Sequence, residues 1–111
     1  MIKSPILPLK LTALAMILTG ISAVSARAEI IQIVMDKMAY IPLEVSAKVG
    51  DTIEWINNDI LIHTATARNG DWDITIAPRK TERLILKKAG AIEYFCRFHP
   101  NMKGRIAIAQ E

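Results

Sequence analysis

The run Leu43-Glu44-Val45-Ser46-Ala47-Lys48-Val49-Gly50-Asp51-Thr52-Ile53-Glu54-Trp55-Ile56-Asn57 decides the fold class. Leu43, Val45, Ala47 and Val49 alternate with Glu44, Ser46 and Lys48, the period-two pattern of a half-buried strand. Gly50-Asp51 punctuates the run, and alternation resumes with Ile53 and Trp55 on one side. Upstream, Ile31, Ile33 and Met35 share a strand face. Downstream, short strands are expected from Ile60 to Ala67 and around Asp73–Ala77, Glu82–Lys87, Ile92–Cys96 and Arg105–Ala109. Turn residues separate them: Asn57-Asn58-Asp59, Arg68-Asn69-Gly70-Asp71, Pro78-Arg79-Lys80, Lys88-Ala89-Gly90 and Pro100 to Gly104. No segment carries a three-turn helical stripe. About seven to eight strands at this spacing predict an all-β sandwich.

The first 28 residues do not belong to that sandwich. Met1 to Lys10 holds two lysines and no acid, Leu11 to Val24 is almost wholly apolar, and Ala26-Arg27-Ala28 is a small-x-small site. These are the three regions of a secretory signal peptide over residues 1–28. The apolar run falls short of the roughly 20 residues a membrane span needs, so no stable membrane insertion is expected after cleavage. One domain, 29–111, then begins at Glu29 and resides in the periplasm.

Export changes the charge argument. The whole chain carries 14 Lys+Arg against 11 Asp+Glu, but Lys3, Lys10 and Arg27 lie in the leader. The mature part therefore has 11 of each, and no basic run with interleaved aromatics follows. Nucleic acid is not expected as a partner. A single cysteine excludes an intramolecular disulfide, and in an oxidising compartment an odd thiol is inert, paired with another chain, or a ligand.

That cysteine stands in Cys96-Arg97-Phe98-His99-Pro100-Asn101-Met102, beside one of only two histidines; the other, His63, lies at a strand-like end upstream. Ile92, Tyr94 and Cys96 share parity, so the sulfur should point inward and emerge where the chain turns. Taken singly, each donor has an ordinary reading: Met102 and Cys96 as core, His63 as a satisfied histidine. Taken together, His63, Cys96 and His99 with Met102 form a two-histidine, one-thiolate set with a weak thioether, the donor set of a blue-copper site. Zinc prefers four strong ligands and gains little from methionine.

The run Tyr94-Phe95-Cys96-Arg97-Phe98-His99-Pro100-Asn101-Met102-Lys103-Gly104-Arg105-Ile106 resembles the Y-x-C-x-x-H-P-x-M-x-G signature of the cupredoxins, most of all their short-loop amicyanin branch, related to the plastocyanin and pseudoazurin branches. Lys37-Met38-Ala39-Tyr40, Val49-Gly50-Asp51-Thr52-Ile53-Glu54-Trp55-Ile56-Asn57 and His63 extend the likeness over residues 30 to 109. The resemblance implies a Greek-key β-sandwich and one type 1 copper ion, with His63, Cys96 and His99 equatorial and Met102 axial. It also implies transient docking of redox partner proteins near His99, with Pro100, Phe98, Met38 or Pro42 as candidates for the surrounding apolar patch. One departure stands out: Ile62-His63-Thr64 replaces the usual Pro-His-Asn, whose asparagine ties the two ligand segments together. The segment between His63 and Cys96 is also short for the amicyanin branch.

The expected function is a monomeric one-electron carrier cycling Cu(II)/Cu(I), not an enzyme. A copper-buffering or delivery protein is the alternative. A thiol enzyme using Cys96 and His99 needs a pocket that a domain of this size hardly offers.

Overall fold

The computed structural model describes residues 27–110; the leader reading of residues 1–28 falls almost wholly outside that span. The alternating runs form nine strands: β1 (Ile30–Asp36), β2 (Ala39–Ile41), β3 (Glu44–Lys48), β4 (Thr52–Asn57), β5 (His63–Ala67), β6 (Asp73–Ile76), β7 (Thr81–Ile85), β8 (Gly90–Cys96) and β9 (His99–Ala109). They pair into a four-stranded sheet, β2-β1-β4-β7, and a five-stranded sheet, β3-β9-β8-β5-β6. The chain changes sheet after β2, β3, β4, β6 and β7. Those crossings supply the long connections that the parallel pairs β1–β4 and β3–β9 require. Among the described residues no helix is long and apolar enough to cross a membrane.

The inward faces are the ones that the alternation predicts. Ile33, Met35, Ile53 and Trp55 of the first sheet meet Ala65, Ile76, Tyr94, Cys96 and Ile106 of the second, all without solvent exposure. Trp72 packs on this core, its ring 5.3 Å from that of Trp55. The Arg68–Trp72 turn joins β5 to β6 through Asn69-Gly70, with Gly70 at φ 81°, where a side chain is disfavoured.

Three expectations change. Leu43 stands just outside β3 and is exposed, so the alternating run starts at Val45 rather than Leu43. Ile60, Leu61 and Ile62 form an exposed bend, and the strand begins only at His63. Pro100 to Gly104 is part of β9 rather than a turn; only Arg97 and Phe98 turn between β8 and β9. There the register slips: Tyr94 faces Gly104 and Phe95 faces Lys103, yet Cys96 faces His99. The slip bulges three residues of β9 beside the cysteine, so tight-turn residues belong to an irregular strand.

Gly104 is required by packing. A Cβ there would lie 2.5 Å from the Tyr94 hydroxyl oxygen and overlap the ring itself. That hydroxyl is buried without a hydrogen-bond partner, so packing alone holds the ring over the glycine. Gly104→Ala should therefore lower the unfolding free energy by about 1–3 kcal/mol, read by denaturant titration.

Two carboxylates tie neighbouring segments together: Asp51 joins the start of the domain to the end of β3, and Glu54 bridges β1 and β7 across β4. Burial alone would raise the Asp51 carboxyl, but hydrogen bonds from the Glu29 and Lys48 N–H groups and the Lys48 ammonium outweigh it and hold it below the usual range. Glu54 is lowered by bonds from Gln32 Nε2 at 2.8 Å and Arg83 Nε at 2.6 Å. Both groups are more acidic folded than unfolded, so their contribution is complete above the unfolded value near pH 4 and is lost as pH falls through the folded values. Denaturation midpoints should fall as pH drops below about 4, less steeply in Asp51→Asn.

Candidate metal centre

Cys96 ends β8 on its inward face, in line with Tyr94 and Ile92 two and four residues earlier, and has no solvent exposure. His63 opens β5 in the same sheet, also fully buried, and His99 opens β9, half-buried. Their donor atoms converge: His63 Nδ1 to His99 Nδ1 is 3.2 Å, Cys96 Sγ to His99 Nδ1 is 3.6 Å, and Cys96 Sγ to His63 Nδ1 is 3.8 Å. The circumradius of a triangle with sides 3.2, 3.6 and 3.8 Å is about 2.1 Å. That is an ordinary metal–nitrogen bond length and slightly short of a metal–thiolate one. The three residues can hold one ion between them.

Met102 is buried in β9 with 2% exposure. Continuing the Tyr94–Gly104 register would set Met102 opposite Cys96, where the slip instead brings His99. His63, Cys96 and His99 therefore gather at one end of the sandwich, and Met102 is buried three residues beyond His99 in the same strand.

The ring orientation of His63 is set by a group that sequence reading passed over. Asp59 Oδ2 lies 2.7 Å from His63 Nε2. Burial would raise this carboxyl, but the His63 contact and two backbone donors hold it below its ordinary range. An ionised carboxylate only accepts, so Nε2 carries the proton and Nδ1 turns its lone pair toward the triangle. The backbone N–H groups of Lys37 and Met38, both at positive φ, also donate to Asp59, at 2.8 and 3.1 Å. Asn57 shapes the same bend: its Nδ2 donates to the carbonyls of Leu61 and Ile76, and its Oδ1 accepts from the Asp59 N–H. The available signal was the Asp59-x-x-x-His63 spacing within a turn.

Cys96 Sγ accepts the Thr64 N–H at 3.3 Å, and Thr64 Oγ1 accepts the Arg97 N–H at 2.9 Å. Thr64 thus makes the connection that asparagine makes in the resembled pattern. The Tyr40 hydroxyl, from the other sheet, donates to the Thr64 carbonyl. Burial, with the Cys96 thiol and Tyr94 phenol nearby, pushes the Tyr40 phenol far above its ordinary value and keeps it a donor. Around this cluster lie Phe98 (49% exposed), Met38 (39%) and the Ile60–Ile62 bend, with Pro42 and Pro100 also exposed.

Asp59→Ala should weaken metal binding by about 10- to 100-fold, because His63 loses the partner that fixes its tautomer and orientation. Competition against a chelator, with circular dichroism confirming the fold, reads the change.

The sequence matches the cupredoxin-like domain family over residues 9–108. Amicyanin of Paracoccus versutus is 27% identical over 94 residues, covering 79% of this chain and 71% of that protein. Amicyanin of Paracoccus denitrificans is 33% identical over 78 residues, 65% of this chain and 60% of that protein. The methylamine utilization protein MauL of Methylorubrum extorquens is 33% identical over 67 residues, 57% of this chain and 59% of that protein. Among solved structures, a reduced amicyanin variant superposes with TM-score 0.62 at 30% identity, over 70% of this chain and 80% of that one. A Cu(I) form of another variant gives 0.64 at 27% identity, over 76% and 86%. With two sheets in this order and a His-Cys-His cluster at one end, the chain belongs to the cupredoxin-like family and is similar to amicyanin.

Proposed function

We propose that this protein is a periplasmic one-electron carrier in which His63, Cys96, His99 and the Met102 thioether would hold one type 1 copper ion. The observation that carries this reading is the donor triangle, already spaced for one ion. Copper bound there supplies a Cu(II)/Cu(I) couple, and the soft thiolate and thioether suit the reduced state while the imidazoles suit both. The residues contribute rigidity. Asp59 fixes one imidazole, the Thr64 N–H polarises the sulfur, and the Thr64 hydroxyl holds the turn after it. Donors that do not move between oxidation states keep reorganisation small.

His99 is the half-buried donor among fully buried ones, so its outer edge is the natural electron exit. Partners of the transient redox kind would dock there against Phe98, Met38 and the Ile60–Ile62 bend. The leader read at residues 1–28 supports export. Complete burial of Cys96 argues against a thiol enzyme, because no substrate reaches the sulfur. Burial of both Cys96 and His63 equally disfavours copper delivery, which needs an open coordination position.

Adding Cu(II) to the mature domain should give an intense blue band and narrow copper hyperfine splitting, bleached reversibly by ascorbate. A pale solution with ordinary tetragonal copper signals would overturn the assignment. Met102→Gln, which offers a harder oxygen, should lower the reduction potential, about 59 mV for each tenfold gain in relative Cu(II) affinity. Cys96→Ser should abolish the blue band.

A further inference from the structure

Four hydrogen bonds beside the cluster close into a ring that begins and ends on Arg97. The Arg97 N–H donates to Thr64 Oγ1 at 2.9 Å, and Thr64 Oγ1 lies 2.9 Å from Thr66 Oγ1. Thr66 Oγ1 donates to Asp73 Oδ1 at 2.7 Å, and Arg97 Nε donates to the same oxygen at 3.1 Å. We propose that Thr66, Asp73 and the Arg97 guanidinium are positioning residues for the metal centre, acting through Thr64 to set the turn between Cys96 and His99.

The topology builds the ring. Thr66 and Asp73 are direct cross-strand partners of β5 and β6, and Thr66 also faces Phe95 of β8. Two further steps of the β5–β8 register would set Thr64 opposite Arg97, where the backbone ladder has stopped. The Thr64 hydroxyl takes over from the ladder at that point. Its side chain is fully buried, so water cannot substitute for its partners.

Proton order gives the remote members their influence. The Asp73 carboxyl is held below its ordinary range by the Thr66 hydroxyl and Arg97, and an ionised carboxylate only accepts. The single Thr66 proton is therefore committed to Asp73, and Thr66 must accept from Thr64. The Thr64 proton is committed in turn, which leaves a lone pair for the Arg97 N–H. Without the carboxylate or the Thr66 hydroxyl, the Thr64 proton loses its fixed direction, and no lone pair stays aligned with the Arg97 N–H. None of Thr66, Asp73 or the guanidinium belongs to the donor triangle.

The inference rests on the electron-carrier reading only for its redox readout, and a metal-free readout keeps the two apart. Amide hydrogen exchange of Arg97 in the metal-free protein should quicken roughly 3- to 10-fold in Thr66→Val and in Asp73→Ala, the loss of about one net hydrogen bond. Thr66→Ser should restore the wild-type rate, and Asp71→Ala, which removes a like charge from the same hairpin, should leave it unchanged. In the copper-loaded protein, Thr66→Val and Asp73→Ala should hasten copper loss to a chelator several-fold and shift the reduction potential, again with rescue by serine. Unchanged Arg97 exchange in both variants, or an equal effect of Asp71→Ala, would overturn the proposal. Altered exchange in a protein that gives no blue copper signal would uphold the ring and sink the electron-carrier reading.

Discussion

Two hydrogen bonds at Thr64 are the constraint on which the metal centre depends. Its N–H reaches Cys96 Sγ and its hydroxyl takes the Arg97 N–H, joining segments more than thirty residues apart in sequence. Cys96 and His99 are close by chain geometry alone, since β8 turns directly into β9. His63 is not, and it is brought to them by pairing of β5 with β8 that extends only through Thr66 and Ala67. Beyond that short ladder, side chains must carry the connection. The donors converge to the extent that Thr64 holds.

The opposite sheet braces the same point. Tyr40 donates to the Thr64 carbonyl, and Asp59 joins the β1–β2 turn to the far nitrogen of His63. The start of β5 is therefore fixed from the β8 side, from the other sheet and from its own preceding bend. An ion bound to His63, Cys96 and His99 would add a further clamp across strand ends, coupling occupancy to stability. It would also occupy a place where donors are already within reach, which is the condition for small reorganisation during electron transfer.

Much of this was legible in the sequence because its signals were local. Alternation placed Ile33, Met35, Ile53 and Trp55 inside, and parity alone aimed Cys96 inward beside Tyr94. The Cys96–Met102 run and His63 supplied the candidate donors, of which His63, Cys96 and His99 converge. The errors came where local signals mislead. Ile60-Leu61-Ile62 looks like a strand by hydrophobicity, yet Asn57 hydrogen bonds bend it and leave it exposed. Pro100 to Gly104 looks like a turn, yet Gly104 is there because the Tyr94 ring lies on it. The Thr66–Asp73–Arg97 connections were invisible because their partners come from different strands, and register decides whether such groups meet.

The most direct test of the account is copper K-edge X-ray absorption on the loaded protein in both oxidation states. A preformed triangle predicts two nitrogens and one sulfur as near neighbours in Cu(II) and Cu(I) alike, at distances differing by less than about 0.2 Å between the states. Loss of a nitrogen or of the sulfur on reduction would contradict the claim that these residues hold the ion in one geometry, and with it the case for an electron carrier.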